Sequence, residues 1–308
     1  MSATTEFPIP IRSSSEPPVI LVPPADIFST RAARFAQLAS GHALGDWLRF
    51  LGALSHCQHE ALQALHALPL PNAEQCALAQ AHRMPPLPAQ SWPRDPAWHG
   101  VLRQIVESLA PTAPEATRPQ LARLATLPGA RLEELAERVL HTELYGDDVA
   151  LLPYVGAALQ VLWTSLAQKV GVGMTALDVP GVCPCCGFLP VASIVRSVGE
   201  GDNAVANLRY LHCALCNTEW NLVRVKCAAC DATEGISYRQ LEGDGVKQPE
   251  AVRAETCDSC KSYLKIVYTE KGGLDPVADD LATLALDILI DEAGYARAGP
   301  NLLFIPGA

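Results

Sequence analysis

Several things are missing from this chain, and each absence closes off a class of protein. No basic start followed by an apolar run of about 7–15 residues opens it; MSATTEFPIPIRSSSEPPVILVPP is polar and proline-rich instead. A secretory leader is therefore not expected. No HExxH sequence, P-loop, dinucleotide glycine fingerprint or Ser-His-Asp spacing occurs, so no catalytic constellation presents itself and the chain is not expected to be an enzyme. Positive charge is short too. Lys and Arg number 23 against 33 Asp and Glu, a formal net charge of −10. An acidic protein is repelled by nucleic acid and by anionic lipid. The imbalance is uneven: residues 181–271 carry 10 basic and 11 acidic side chains, whereas residues after 271 carry one and six.

Long apolar runs are also scarce. The longest, Val149–Ala167, is interrupted by Pro153, Gln160, Thr164 and Ser165 and has few basic anchors. It reads as a buried helix, not a membrane span. The expected location is the cytoplasm, with no membrane insertion. Eleven cysteines in a reducing compartment point to metal or thiol chemistry instead of a disulfide framework.

Residues 1–25 read as an extended, Pro-rich arm. Residues 26–172 have helical texture. Phe28, Ala32, Phe35 and Leu38 share one face, and Gly41 stands where a C-terminal cap belongs. Trp47, Leu48, Leu51, Leu54, Leu62 and Leu65 form a second, longer helix. Asn72 with Gln75 fits a capping box, and Asp95-Pro96 places a cap before a first-turn proline. Trp98, Leu102, Ile105 and Leu109 make the next stripe. Two short helices break at Pro128-Gly129, and Asp147 or Asp148 starts the last. This part is expected to be an all-α bundle.

Gly171–Gly181 marks the boundary. Beyond it, short β-type runs at Val191–Val195, Asn221–Val225 and Leu264–Tyr268 are separated by Cys, Gly and Asp turns. In residues 272–308, Asp275-Pro276 caps one helix with Leu281, Leu284, Ile288 and Leu289 on a single face. The closing apolar stretch is expected to pack against the rest. The predicted fold class is thus α+β in two parts: an N-terminal all-α helical bundle, tandem β modules and a C-terminal helix.

The β region is an internal repeat. Its cysteines form four Cys-x-x-Cys pairs: Cys183/Cys186, Cys213/Cys216, Cys227/Cys230 and Cys257/Cys260. The second and third cysteines of each set of four are separated by 26 residues, and a shift of 44 positions carries the first set onto the second. The same shift aligns Ser193 with Ser237, Arg209 with Arg253 and Val223 with Val267. It also lays Gly199-Glu200-Gly201 on Gly243-Asp244-Gly245, as one shared hairpin turn. This is a tandem duplication, with modules at residues 181–226 and 227–271.

The spacing serves a chemical purpose. Two intervening residues let a tight knuckle aim both sulfurs at one point. Two knuckles on facing hairpins then close a tetrahedral four-sulfur shell suited to zinc or a single iron. A closed shell leaves no position at which to activate water. Thioredoxin-like redox pairs would need a βαβ context, which is absent. Pairing within each repeat is expected; the cross-braced alternative joins the first pair to the third. Cys185, inside the first knuckle, reads as a spare exposed thiol. Cys57 and Cys76 read as packed helix residues. His56, Cys57 and His59 share a helix face, but solvent-facing histidines are the simpler reading. His212 is a candidate to donate to a sulfur from just behind the ligands.

With these residues in view, the sequence resembles the bacterial formate dehydrogenase accessory proteins. The resemblance covers nearly the whole chain. It rests on Leu44-Gly45-Asp46-Trp47-Leu48-Arg49-Phe50, Cys183-Pro184-Cys185-Cys186-Gly187, Leu208 through Cys216, Thr218-Glu219-Trp220, Val223 through Cys227, Tyr263-Leu264-Lys265 and Val277 through Ala282. It implies a cytoplasmic assembly factor contacting the molybdenum- and selenium-containing catalytic subunit of respiratory formate dehydrogenase before folded export. It also implies rubredoxin-like sites: two metal ions, one per four-cysteine site, with iron favoured and zinc the alternative. Cys185 departs from the family's knuckle, which does not need it. A rubredoxin-like redox protein or oxygen sensor acting in maturation is the next reading. A zinc-ribbon nucleic-acid factor is weaker, because the metal region lacks a basic footprint. Cys→Ser at Cys183 or Cys227 is expected to lose one metal equivalent while the bundle stays folded.

Overall fold

Apolar residues at helical spacing build the first half of the chain. The computed structural model describes residues 19–171, 174–198, 205–241 and 251–306. Helix α1 (Ile27–Ala39) turns Phe28, Phe35 and Ala39 inward, and Gly41 follows at φ +69°. Helix α2 (Gly45–Ala64) buries Leu48, Leu51, Leu54 and Leu62. Helix α3 (Ala73–Ala81) opens on the expected capping box: Gln75 N–H donates to Asn72 Oδ1 at 2.8 Å, and Asn72 N–H donates to Gln75 Oε1 at 2.9 Å. In α4 (Ala97–Leu109), Pro96 takes the cap position instead of the first turn, and Asp95 Oδ1 accepts from Ala97 N–H at 2.9 Å. Helices α5 (Arg118–Thr126) and α6 (Gly129–Leu140) part at Pro128, as predicted.

Helix α7 (Leu152–Val170) is the axis of this half. Every residue from Tyr154 to Ala167 is buried, because α2, α4 and α6 surround it. That explains an apolar run without an amphipathic period. The segment is long and apolar enough to cross a membrane, and it is mostly buried inside the protein.

Past Gly181 the chain pleats. Strands β2 (Pro190–Val198), β3 (Val205–Cys213) and β4 (Glu219–Asn221) form an antiparallel meander. Strands β5 (Ile236–Arg239), β6 (Val252–Cys257) and β7 (Ser262–Tyr268) repeat it. The two meanders are joined by parallel pairing of β2 with β7, Ser193 lying opposite Ile266. Strand β1 (Ile20–Leu21) pairs with β4, and β8 (Ala296–Arg297) pairs with β7. Among the described residues the repeats therefore form one sheet of eight strands, in the order β1-β4-β3-β2-β7-β6-β5 with β8 off the path.

Three expectations are corrected here. The strand predicted at Asn221–Val225 lies at Glu219–Asn221, because the chain turns away: Val225 adopts φ +58°, and Val223 and Val225 are exposed. The single C-terminal helix is two, α8 (Pro276–Leu281) and α9 (Leu284–Glu292). Thr283 Oγ1 contacts the Asp279 and Asp280 carbonyls at 2.9 and 3.0 Å where the helix breaks. The break rotates the second helix, so Leu286 and Ile290 face inward while Ile288 and Leu289 are exposed. Asp275 caps α8 as expected, accepting from Ala278 N–H at 2.8 Å. Most of the arm at 1–25 and the two aligned Gly-x-Gly turns lie outside the described residues.

One hydrophobic core runs from the helices through the first cysteine set to Leu302, Leu303 and Ile305 of the closing stretch. A smaller one lies between the sheet and Leu286, Ile290 and Tyr295. The four cysteines of the first set thus share a core with α7.

Candidate metal centres

The structure gathers the eight paired cysteines into two groups of four: Cys183, Cys186, Cys213 and Cys216, and Cys227, Cys230, Cys257 and Cys260. Within each group the sulfurs lie within 4.8 Å of one another. The grouping is within repeats, not cross-braced. In the first, Cys183–Cys216, Cys186–Cys213 and Cys186–Cys216 are each 3.5 Å apart. In the second, Cys227–Cys260 and Cys230–Cys257 are 3.7 Å apart. A regular tetrahedron of sulfurs about 2.3 Å from a central ion has edges of roughly 3.8 Å. The spacing and the all-sulfur donor set fit a tetrathiolate ion.

Each knuckle follows the same rule. Its first cysteine's carbonyl or amide closes a tight loop: Gly187 N–H donates to Cys183 O at 2.8 Å, Asp231 N–H to Cys227 O at 3.1 Å, and Cys213 N–H to Thr218 O at 3.0 Å. The residue after its second cysteine is left-handed in all four: Gly187, Asn217, Asp231 and Lys261, at φ +72°, +58°, +66° and +55°. That conformation turns the chain back on itself behind the sulfurs. Leu215 and Cys216 N–H donate to the Cys213 sulfur, and Ala229 N–H to the Cys227 sulfur, all at 3.4 Å. These N–H groups stabilise thiolate charge.

Two hydroxyls lie against ligand sulfurs, and sequence reading passed over both. Thr218 Oγ1 accepts from the Cys216 sulfur at 3.2 Å, and Ser262 Oγ is 2.9 Å from the Cys260 sulfur. They occupy equivalent positions 44 residues apart, so the repeat itself carried the signal.

The thiols do not ionise together. Burial pushes Cys183 and Cys186 well above the ordinary thiol range. Burial opposes Cys216 as well, but hydrogen bonds from the Cys183, Cys185, Cys186 and Cys213 sulfurs hold it well below that range. In the second set, burial opposes Cys260, yet Ser262 and Cys230 outweigh it and lower the thiol to about 7. A bound cation would draw all four into the thiolate form.

The cages differ in their surroundings. In the first, Cys183, Cys213 and Cys216 have 0% relative exposure and Cys186 has 1%. Leu87 and Ala89 N–H donate to the Cys185 and Cys186 carbonyls at 3.0 and 2.8 Å. Gln160 Nε2 of α7 donates to Ala214 O at 2.8 Å, and Asn217 Nδ2 to Thr164 Oγ1 at 2.8 Å. In the second cage Cys227 and Cys257 are buried, but Cys230 and Cys260 are exposed.

Other sequence expectations are relocated. Cys185 is fully buried, not a spare exposed thiol, because helical-domain residues 87–89 cover the first knuckle. His212 touches no ligand sulfur. It is buried with Nδ1 3.0 Å from Glu219 Oε1 and Nε2 3.1 Å from Asn217 Oδ1, so it steadies the residue behind Cys216. Arg31 of α1 does likewise, its Nη2 donating to Asn217 Oδ1 at 2.8 Å and its Nε reaching Asp275 at 3.1 Å. Cys57 is buried, and desolvation pushes its thiol up to about 11. His56 faces solvent beside Glu60, so His56, Cys57 and His59 share no ion position. Cys76 is half-buried.

Fold and site together define a class: a helical domain carrying a duplicated tetrathiolate module, each copy able to hold one metal ion. Family models described as the N-terminal, central and C-terminal domains of FdhE match residues 16–174, 182–224 and 225–304. A protein from Edwardsiella ictaluri named an FdhE homolog is 40% identical, over 94% of this chain and 92% of its own. One from Pseudomonas aeruginosa is 37% identical over 100% and 99%. The crystal structure of the FdhE protein from Pseudomonas aeruginosa superposes with a TM-score of 0.78 at 34% identity, covering 94% of this chain and 100% of that one. The chain belongs to the FdhE family.

Proposed function

We propose that this protein is an assembly factor for respiratory formate dehydrogenase. It binds the catalytic subunit in the cytoplasm during maturation, before export, and carries one metal ion in each of its two cages. The observation that carries this reading is the duplicated four-sulfur shell on a helical scaffold. Such a shell, once filled, has no open position for substrate or water, so its contribution is shape and not turnover. Cys183, Cys186, Cys213 and Cys216 hold one ion, and Cys227, Cys230, Cys257 and Cys260 the other. Iron is favoured through the rubredoxin-like resemblance, and zinc is the alternative for the same donors.

The test is capture. Full-length tagged protein, recovered from formate-respiring cells, is expected to bring the catalytic subunit with it. Repeated recovery without that subunit would overturn the proposal. Elemental analysis with an absorption spectrum of anaerobically purified protein identifies the metal: red for ferric thiolate, colourless for zinc or reduced iron.

A redox or oxygen-sensing role is favoured by one observation, the exposure of Cys230 and Cys260. Voltammetry would then show a reversible wave from the second site. A protein holding only zinc in the cell excludes it.

A further inference from the structure

The duplication is symmetric in sequence and asymmetric in access. All four sulfurs of the first cage are closed off, and its knuckles are held by backbone and side-chain hydrogen bonds from α7 and the 87–89 segment. The second cage presents one exposed cysteine from each of its knuckles, Cys230 and Cys260. These belong to different hairpins. An incoming ligand can therefore approach along the edge they share, while Cys227 and Cys257, at 5% and 2% relative exposure, stay anchored behind.

We propose that the second cage is an exchange site. It takes and yields its ion to external thiols, whereas the first keeps its ion as part of the core. This rests on the reading of both cages as metal sites. The chemistry is ligand substitution without redox change. An incoming thiol forms one sulfur–metal bond as the Cys260 or Cys230 bond breaks, and the thiol's proton passes to the departing cysteine sulfur. Two anchored sulfurs hold the ion during the exchange. The neighbourhood suits such a partner. Lys261 stands beside Cys260, paired with Asp258 at 2.8 Å, and its ammonium lies 5.2 Å from the Tyr295 ring. Ser262 Oγ, at 2.9 Å, can donate to the Cys260 sulfur. Among the described residues the first cage has no equivalent opening, and the residue matching Lys261 is Asn217, buried and bonded to Arg31, His212 and Thr164.

The experiment uses the full chain loaded with zinc and challenged with glutathione in the presence of a chromogenic zinc chelator. The starting stoichiometry is measured first. The expected result is two phases of one equivalent each, the fast one at least about tenfold faster. Iodoacetamide footprinting of the same protein should label Cys230 and Cys260 before any cysteine of the first set. Cys260→Ser is expected to abolish the fast phase and leave the slow one. Release of both equivalents at one rate, or earlier labelling of Cys183 to Cys216, overturns the exchange proposal alone. Fewer than two equivalents bound at the start overturns the metal reading with it. The footprint on the unmodified chain decides the matter even if the variant misfolds.

Discussion

Lys261 and Gly187 occupy the same turn of their knuckles, and only glycine does so without steric cost. A non-glycine residue in the left-handed region is disfavoured by about 1–2 kcal/mol. Lys261 offsets this only weakly, through a solvent-screened ion pair to Asp258. Lys261→Gly is therefore expected to leave stability unchanged or slightly raised, measured by denaturant melts of metal-loaded protein. A second residue-scale case is Asp280. It is buried between Lys265 at 3.2 Å and Arg297 at 2.7 Å, with Asn301 Nδ2 at 2.8 Å. Burial opposes its charge, but Arg297 and Lys265 outweigh this and hold the carboxyl below its ordinary range. Its stabilising contribution is complete above the ordinary carboxylate pKa and is lost as pH falls through the lowered one. Asp280→Asn should cost about 3 kcal/mol at neutral pH, since it leaves buried cations under-compensated. It should also flatten the acid limb of the stability profile, as read from unfolding across a pH series.

At the scale of elements, α7 sets the geometry of the first cage and of the closing stretch. Gln160 joins Gln58 of α2 to the knuckle carbonyl of Ala214. Gln160→Leu leaves that carbonyl without its donor, at a cost of roughly 1–3 kcal/mol. The slow metal equivalent of that variant should dissociate faster. Four residues earlier, Gly156 lets the chain return. A Cβ there would sit 3.0 Å from the Leu302 carbonyl oxygen. Gly156→Val is expected to displace residues 301–306 by overpacking, a loss of about 1–3 kcal/mol, visible as protease cleavage near Leu302. Sequence showed the capping box at Asn72, the break at Pro128 and the buried character of α7, because these depend on neighbours a few residues apart. It misjudged the strand after Trp220 and the C-terminal helix. There, the left-handed Val225 and the hydroxyl of Thr283 outweigh a continuous apolar pattern.

Across the whole molecule, the two cages should differ in what their loss does to the fold. The first shares a core with α7 and the closing stretch. The second sits toward the β5 edge of the sheet with two of its cysteines exposed. Cys227→Ser is expected to lose one metal equivalent and leave the helical circular-dichroism melt nearly unchanged. Cys183→Ser should lose one equivalent and lower the helical melting temperature in the same transition. The sequence-based expectation of a folded bundle after either change is checked by the same two melts, and the shared core makes the first site the more demanding case.

The Cys-x-x-Cys spacings and the helical periods determined by themselves which cysteines form knuckles and which half was helical. Those are properties of short spacings, and short spacings are local; which knuckle meets which was settled only by the fold. Tertiary structure alone decided that the repeats share one sheet through β2 and β7, that Cys185 is buried, that His212 serves Asn217 and not a sulfur, and that one cage is sealed while its copy is open. Each depends on what packs from far along the chain, and burial is a property of the packed neighbours, not of the residue that is buried.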